Sequence, residues 1–332
     1  MGEATKIEWA DATYNPWIGC TKVSPGCDHC YAEGLATARL GVEWGPLAER
    51  RRTAASTWKQ PLAWNRKAAA AGERYRVFCA SLADVFDNAV DQHWRRDLAA
   101  LILMTPHLDW LLLTKRIGNA AEMLADMFPA GAQPNVWIGA TIVNQAEADR
   151  DIPKLLAIKQ LCGVSKVFLS MEPLLGPVRL DRLREDLDGS ISWESCLNRK
   201  RFSEWGGEDG NGGDIDGCPA VDWVIVGGES GPGGRPMHPD WARSLRDQCA
   251  AAGVPFLFKQ WGEWAPGENA PGPQMRTETG AHLSADGEWW FEQITKRMGE
   301  ELHCDDEPDV WRFGKKDAGR LLDGVRHDGV PA

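Results

Sequence analysis

Short apolar runs that end in polar residues, most of them followed by a helical pattern, constrain the fold of this chain more tightly than its composition does. The runs are VFCASLADVF from Val77, WLLLTKR from Trp110, VWIGATI from Val136, KVFLSMEP from Lys166, DWVIVGGES from Asp222 and VPFLFKQWGEW from Val254. They read as strands buried on both faces, as in a parallel sheet covered by helices. Helical patterns lie between them: DQHWRRDLAALILM from Asp91, NAAEMLADMF from Asn119, QAEADRDIPKLLAI from Gln145, and PDWARSLRDQCAAAG, bounded by Pro239 and Gly253. With YNPWIGC taken as a first strand, the chain offers about seven β/α units. The expected fold class is therefore α/β, a parallel (β/α) barrel, full or partial, of the TIM-like type.

At the strand ends apolar residues give way to Asp84, to Thr114, Lys115 and Arg116, to Thr141, to Glu172, to Glu229, and to Lys259 and Gln260. A parallel barrel gathers such ends at one mouth, where catalytic groups stand. The polar stretch from Leu180 to Pro219, with its GGEDGNGGDIDG, reads as an insertion between the fifth and sixth strands, a lid or a disordered excursion. Beyond Ala265 the rhythm fails. APGENAPGP reads as a loop, AHLSADGEWWFEQI as a small hairpin and GKKDAGRLLDG as a terminal helix ending at Gly324. The expected organisation is a barrel over residues 1–264, interrupted by the insertion at 180–219, with a C-terminal extension over 265–332 packed on it.

GCTKVSPGCDHCYAE, beginning at Gly19, puts Cys20, Cys27 and Cys30 into one loop that leaves the first strand at the same mouth. A structural zinc site takes four protein ligands. Three thiolates on a [4Fe-4S] cluster instead leave one iron open to a small ligand. That iron can chelate the amino and carboxylate groups of S-adenosylmethionine. One electron, originating from an external electron donor, then cleaves a carbon–sulfur bond and releases a 5′-deoxyadenosyl radical. Two other readings stay open: a zinc knuckle recruiting His29, whose adjacency to Cys30 makes the geometry awkward, and three unrelated core thiols, which suit a loop this polar poorly. The remaining cysteines, Cys79, Cys162, Cys196, Cys218, Cys249 and Cys304, have no paired spacing and read as reduced thiols.

The formal charge of −11 opposes extensive wrapping of a polyanion. Contact with nucleic acid would have to be local, through Glu49 to Arg52, Arg199 to Arg201, or the GKK ending at Lys316, each of which reads first as a solvated face or a helix end. The 17 tryptophans read mostly as packing, a few as stacking platforms. No basic and apolar leader and no apolar run long enough for a bilayer is present, so the expectation is a cytoplasmic protein without a membrane partner.

Rim residues carry the remaining candidates. Gly227, Gly228 and Glu229, in VIVGGESGPGG, permit close approach of backbone to a ligand, or simply make a tight turn. Glu172 precedes a proline that forces an extended exit and aims its carboxylate into the mouth. Lys115 and Arg116 can hold an anion, or pair with Glu172 or Asp84. Glu172, Lys115 and Arg116 are the catalytic candidates, and Thr141 joins the cofactor-binding ones.

KIEWADATYNPWIGCTKVSPGCDHCYAE, LLLTKR, MEPLLGP, DWVIVGGESGPGGRPMHPDWARSLRDQCAAAGVPFLFKQWGEW and FGKKDAGRLLDG together resemble the phage-encoded three-cysteine-motif family, a domain of unknown function. The likeness runs from Thr5 to Gly324 with gaps at the polar insertion. It implies a phage or prophage setting, expression in the host cytoplasm, and kinship with radical S-adenosylmethionine barrels, with Cys20, Cys27 and Cys30 as cluster ligands. The C-x6-C-x2-C spacing departs from the C-x3-C-x2-C loop usual in those enzymes. Their GGE follows the second strand, whereas Gly227 to Glu229 come much later, which makes Ser81 and Asp84, after the second run, alternative cofactor contacts.

The expected function is a radical S-adenosylmethionine enzyme acting on a nucleotide or nucleic-acid base, in modification or repair, with phage DNA hypermodification as one setting. Rivals are a zinc- or cluster-stabilised nucleic-acid-binding accessory protein, and a divalent-metal hydrolase or nuclease using Asp84, Glu172 and Glu229.

Overall fold

The computed structural model describes residues 5, 7–187, 190–198, 200–203, 219–269, 278–295 and 307–332. Its centre is a seven-stranded parallel sheet whose strands follow one another in chain order. They are β1 (Ala12–Tyr14), β2 (Tyr75–Cys79), β3 (Leu108–Thr114), β4 (Val136–Thr141), β5 (Lys166–Met171), β6 (Trp223–Gly227) and β7 (Phe256–Gln260). The sheet curls into a half-barrel, with β1 and β7 at its edges, so the fold takes the partial form of the expected barrel. Six of the seven strands coincide with the apolar runs. The first does not: β1 ends at Tyr14, and Trp17–Ile18 pairs instead with Arg51–Arg52.

Alternation along each strand divides the core. Outward residues such as Val77, Leu112, Ile138, Leu169 and Val226 pack with helix residues Leu98, Leu124, Leu155 and Leu245. The longer helices are α1 (Tyr31–Leu40), which packs apart from that layer with Ile18, Val42 and Leu82, and α2 (Gln60–Ala71), α3 (Gln92–Leu103), α4 (Ile117–Met127), α5 (Gln145–Leu161) and α6 (Pro239–Ala252), which form it. Local chemistry sets their ends. Asp91 accepts from His93 N ahead of α3, Asn144 accepts from Glu147 N ahead of α5, and α6 runs from Pro239 to a left-handed Gly253.

Inward residues on the concave side form a separate apolar layer of Trp9, Phe78, Leu111, Trp137, Phe168, Trp223, Ile225 and Leu257. Gly139 lies opposite Phe168 in register, and a Cβ there would come to 2.3 Å of the ring, so the missing side chain makes room for the aromatic. This layer plugs the concave side. Trp9 and Phe78 close the floor of a cavity at the carboxyl ends of the strands.

The stretch after β5 forms a three-stranded antiparallel sheet of Leu183–Leu187, Ser190–Ser195 and Lys200–Ser203. GGEDGNGGDIDG and Cys218 lie outside the described residues, as does Cys304. After β7 a second antiparallel sheet takes Trp264–Ala265, Val310–Arg312, Glu278–Leu283 and Trp289–Ile294, the last two forming the expected hairpin. The terminal helix is only Lys315–Ala318 and stops at Gly319 (φ 70°), well short of Gly324. The chain then returns along β7: Phe258 N donates to His327 O (3.0 Å) and Trp223 Nε1 to Gly329 O (2.7 Å). That return covers an edge strand that would otherwise offer unpaired backbone.

Candidate active site at the mouth of the half-barrel

The cavity holds about 490 Å³, within the range of small-molecule sites. Cys20, Cys27 and Cys30 all line it. Ser81, Asp84, Lys115, Arg116 and Thr141 line it too, as do Glu172, Gly228 and Glu229. Gly227 stays behind the wall, where a Cβ would lie 3.4 Å from Glu172 Cδ. Gly228 is required by packing: a Cβ would stand 1.9 Å from Trp261 O.

The cysteine loop is shaped by its own polar residues. Ser24 Oγ accepts from Gly26 N (3.1 Å) and caps a short 3-10 turn, Pro25–Cys27. Cys27 is buried, Cys20 and Cys30 are half-buried, and Cys30 is the N-cap of α1, where a helix terminus favours negative charge. Arg116 Nη1 donates to Cys20 Sγ (3.2 Å). Burial pushes the Cys20 thiol up to about 11, with Arg116 opposing the rise. Among the described residues no three His, Cys, Asp or Glu side chains are grouped so as to hold a metal ion. A single zinc ion, with sulfur ligands about 2.3 Å from the metal, requires such a convergence.

Two carboxylates brace this loop. Asp84, 5% exposed, accepts from Thr114 Oγ1, Phe86 N, Lys115 N (3.1 Å) and Arg116 Nη1 (3.1 Å). Arg116 Nη2 also donates to Thr21 O (2.7 Å), and buried Arg50 joins Asp87 (2.8 Å) to Thr21 Oγ1 (2.8 Å). On the opposite side Glu229, 6% exposed, faces His29 Nδ1 (2.9 Å) and accepts from Arg235 N, Nε and Nη2. Burial works against its charge, yet Arg235 and His29 outweigh it and hold the carboxyl below the ordinary range. Arg235 continues to Asp28 Oδ2 (3.0 Å) and Pro25 O (2.8 Å), tying the glycine-rich turn after β6 onto the cysteine loop.

The third carboxylate, Glu172, pairs with Lys259 (2.7 and 2.8 Å) and accepts from Gln260 Nε2 (3.1 Å), rather than pairing with Lys115 or Arg116. Ser81 Oγ accepts from Asn15 Nδ2 (2.9 Å), and Ser81 O from Tyr31 Oη (3.0 Å). Lys259, Ser170 and Tyr31 line the cavity and were not among the expected site residues. Lys259 carried a signal, since it ends a run as the other rim residues do. Arg235 carried none beyond its place after the glycines, because its partners in the cysteine loop are some 200 positions away.

Of the basic patches, Arg50 is consumed by Asp87, and Arg52 pairs with Asp97 (2.6 Å) beside Trp58. Lys315 lines the cavity rim. Arg199 and the side chains of Lys200 and Arg201 lie outside the described residues. No helix among the described residues is long and apolar enough to cross a membrane.

No curated protein matches the chain. Among solved structures it is similar to a spore photoproduct lyase mutant with bound AdoMet and dinucleoside spore photoproduct, at 16% identity over 49% of this chain and 46% of that one, with a TM-score of 0.36. It is also similar to the spore cortex-lytic enzyme SleL of Bacillus megaterium QM B1551, at 9% identity over 88% of this chain and 57% of that one, with a TM-score of 0.25. The chain thus spans about half the length of each, and at these scores neither likeness bears on fold or chemistry. The family described as "Protein of unknown function (DUF5131)" matches residues 4–331, and the chain belongs to that family.

Proposed function

We propose that the protein is a radical S-adenosylmethionine enzyme that holds a [4Fe-4S] cluster on Cys20, Cys27 and Cys30 and acts on a nucleobase or nucleotide. The observation that carries this reading is that three thiols of one loop line a single cavity at the carboxyl end of a parallel half-barrel. The donor set suits a cluster: three thiols, a helix N-terminus at Cys30 and a guanidinium on Cys20 to balance added negative charge. A cube spreads its ligands over several corners and so does not need the point convergence a lone ion does. Bound there, the cluster would supply the electron that cleaves S-adenosylmethionine and releases a 5′-deoxyadenosyl radical.

The chain's own residues supply position and shelter. Arg116 and Asp84 fix Cys20, while Arg235 and Glu229 fix the far side of the loop. Ser81, Thr141 and Gly228 belong to the wall that faces the cofactor, and the aromatic floor keeps water from a reactive carbon species. Glu172 and Lys115 face the same space as the groups nearest to proton or charge handling. A cavity of about 490 Å³ is the size of a small-molecule site, not of a duplex footprint, which suits a single everted base or free nucleotide and is in keeping with the acidic chain. Phage DNA hypermodification, in a prophage-bearing host, is the proposed setting. The hydrolase reading has no comparable support, since Asp84, Glu172 and Glu229 are each paired with Arg116, Lys259 and Arg235.

The test is anaerobic purification with iron and sulfide analysis, followed by assay of 5′-deoxyadenosine with and without deoxynucleotides. Wild type is expected to bind iron and sulfide and to form the product, and Cys27→Ala to lose both. Product formation in air without iron, with magnesium or manganese alone, overturns the reading.

A further inference from the structure

Pairing leaves two lysines of the cavity lining without a carboxylate among the described residues, Lys315, which is exposed, and Lys115, which is not. Arg116 is engaged by Asp84, Lys259 by Glu172 and Arg235 by Glu229. Lys115, half-buried at the end of β3, has no acidic partner among the described residues. Its ammonium makes one long contact, donating to Thr141 Oγ1 at 3.4 Å, and its stem lies along the cysteine loop at Gly26.

The next two strands extend the same patch. Thr141 at the end of β4 stands opposite Ser170 of β5 in register, both on the concave side. Ser170 is 3% exposed and lines the cavity, yet its hydroxyl has no hydrogen-bond partner among the described residues. That hydroxyl is open to the cavity and so is free to donate to a group bound there. The Thr141 hydroxyl accepts from Lys115 and keeps its own proton to donate.

We infer that Lys115, Thr141 and Ser170 form an oxyanion subsite, three donors on three adjacent strands that take a carboxylate or phosphate group. An ammonium and two hydroxyls match two or three oxygens on one centre, and the neighbouring Glu172 does not compete because Lys259 and Gln260 hold it. The subsite lies in the cavity of the proposed function but does not depend on a cluster. Two groups offer this chemistry there, the carboxylate of the cofactor and the phosphate of a nucleotide.

The two sources separate in equilibrium dialysis of the full chain, with and without reconstituted iron and sulfide. One ligand pair is S-adenosylmethionine against its decarboxylated form, the other 2′-deoxynucleoside 5′-monophosphates against the nucleosides. Wild type is expected to prefer the anionic member of at least one pair by about ten- to a hundredfold. Lys115→Gln is expected to abolish that preference, Lys115→Arg to keep most of it, and Thr141→Val and Ser170→Ala to weaken it. A carboxylate preference alone identifies the cofactor as the occupant, and a phosphate preference alone the substrate. Absence of any preference in wild type, or its survival in Lys115→Gln, overturns the subsite. If the preference depends on Lys115 while iron and 5′-deoxyadenosine are absent, the radical chemistry fails and the subsite stands.

Discussion

Arg116 reaches Cys20 Sγ, Thr21 O and Asp84 at once, with only 10% of its side chain exposed. A side chain in that position cannot be shortened without leaving the buried Asp84 carboxylate and the Cys20 loop short of a donor. Arg116→Leu should therefore destabilise the protein by about 3–5 kcal/mol in urea unfolding. Arg116→Lys should recover only part, because one ammonium cannot replace a fork that serves three acceptors. A loss under about 1 kcal/mol in Arg116→Leu would show the bracing role to be wrong. Asp84 and Arg116 were legible in the sequence as polar residues at strand ends, and their pairing was one of the two outcomes expected of them. The bond from Arg116 to Cys20 was not, since nothing local joins positions 20 and 116.

At the scale of elements, the glycine-rich turn after β6 is a clamp on the cysteine loop, through Arg235 to Asp28 and Pro25 O. Outer contacts of this kind typically change metal affinity by about ten- to a hundredfold. Arg235→Ala should lower iron and sulfide retained per chain after reconstitution, with far-UV circular dichroism unchanged and Arg235→Lys intermediate. Retention equal to wild type would remove the clamp from the site. The buried strands were readable because helices cover one face and the aromatic layer the other, which leaves continuous apolar runs. The first strand was misread because three residues are enough for β1, while the more apolar Trp17 and Ile18 that follow belong to another pairing. The last helix was overextended because Leu321 and Leu322 continue its pattern past Gly319, where the backbone turns away. α1 and α2 were not anticipated: α1 is largely exposed, and neither has a strong apolar stripe.

For the molecule as a whole, the core is built without the cysteine loop. The inner layer and the outer helix layer make up the half-barrel, and Cys27 belongs to neither. If the proposed cluster is held there, removing iron with a chelator should abolish its visible absorbance while far-UV circular dichroism and the cooperative unfolding transition persist. Small metal domains whose metal supplies the folding energy do the opposite. Collapse on chelation would mean that the loop is structural rather than a cofactor holder.

The aromatic plug beneath the cavity has a further effect, on the sequence of arrivals. Trp9 and Phe78 stop the chamber at its base, while Tyr31 and Lys315, both exposed, stand where it meets solvent. In the proposed function, a cofactor resting against that base would enter before an outer guest and leave after it.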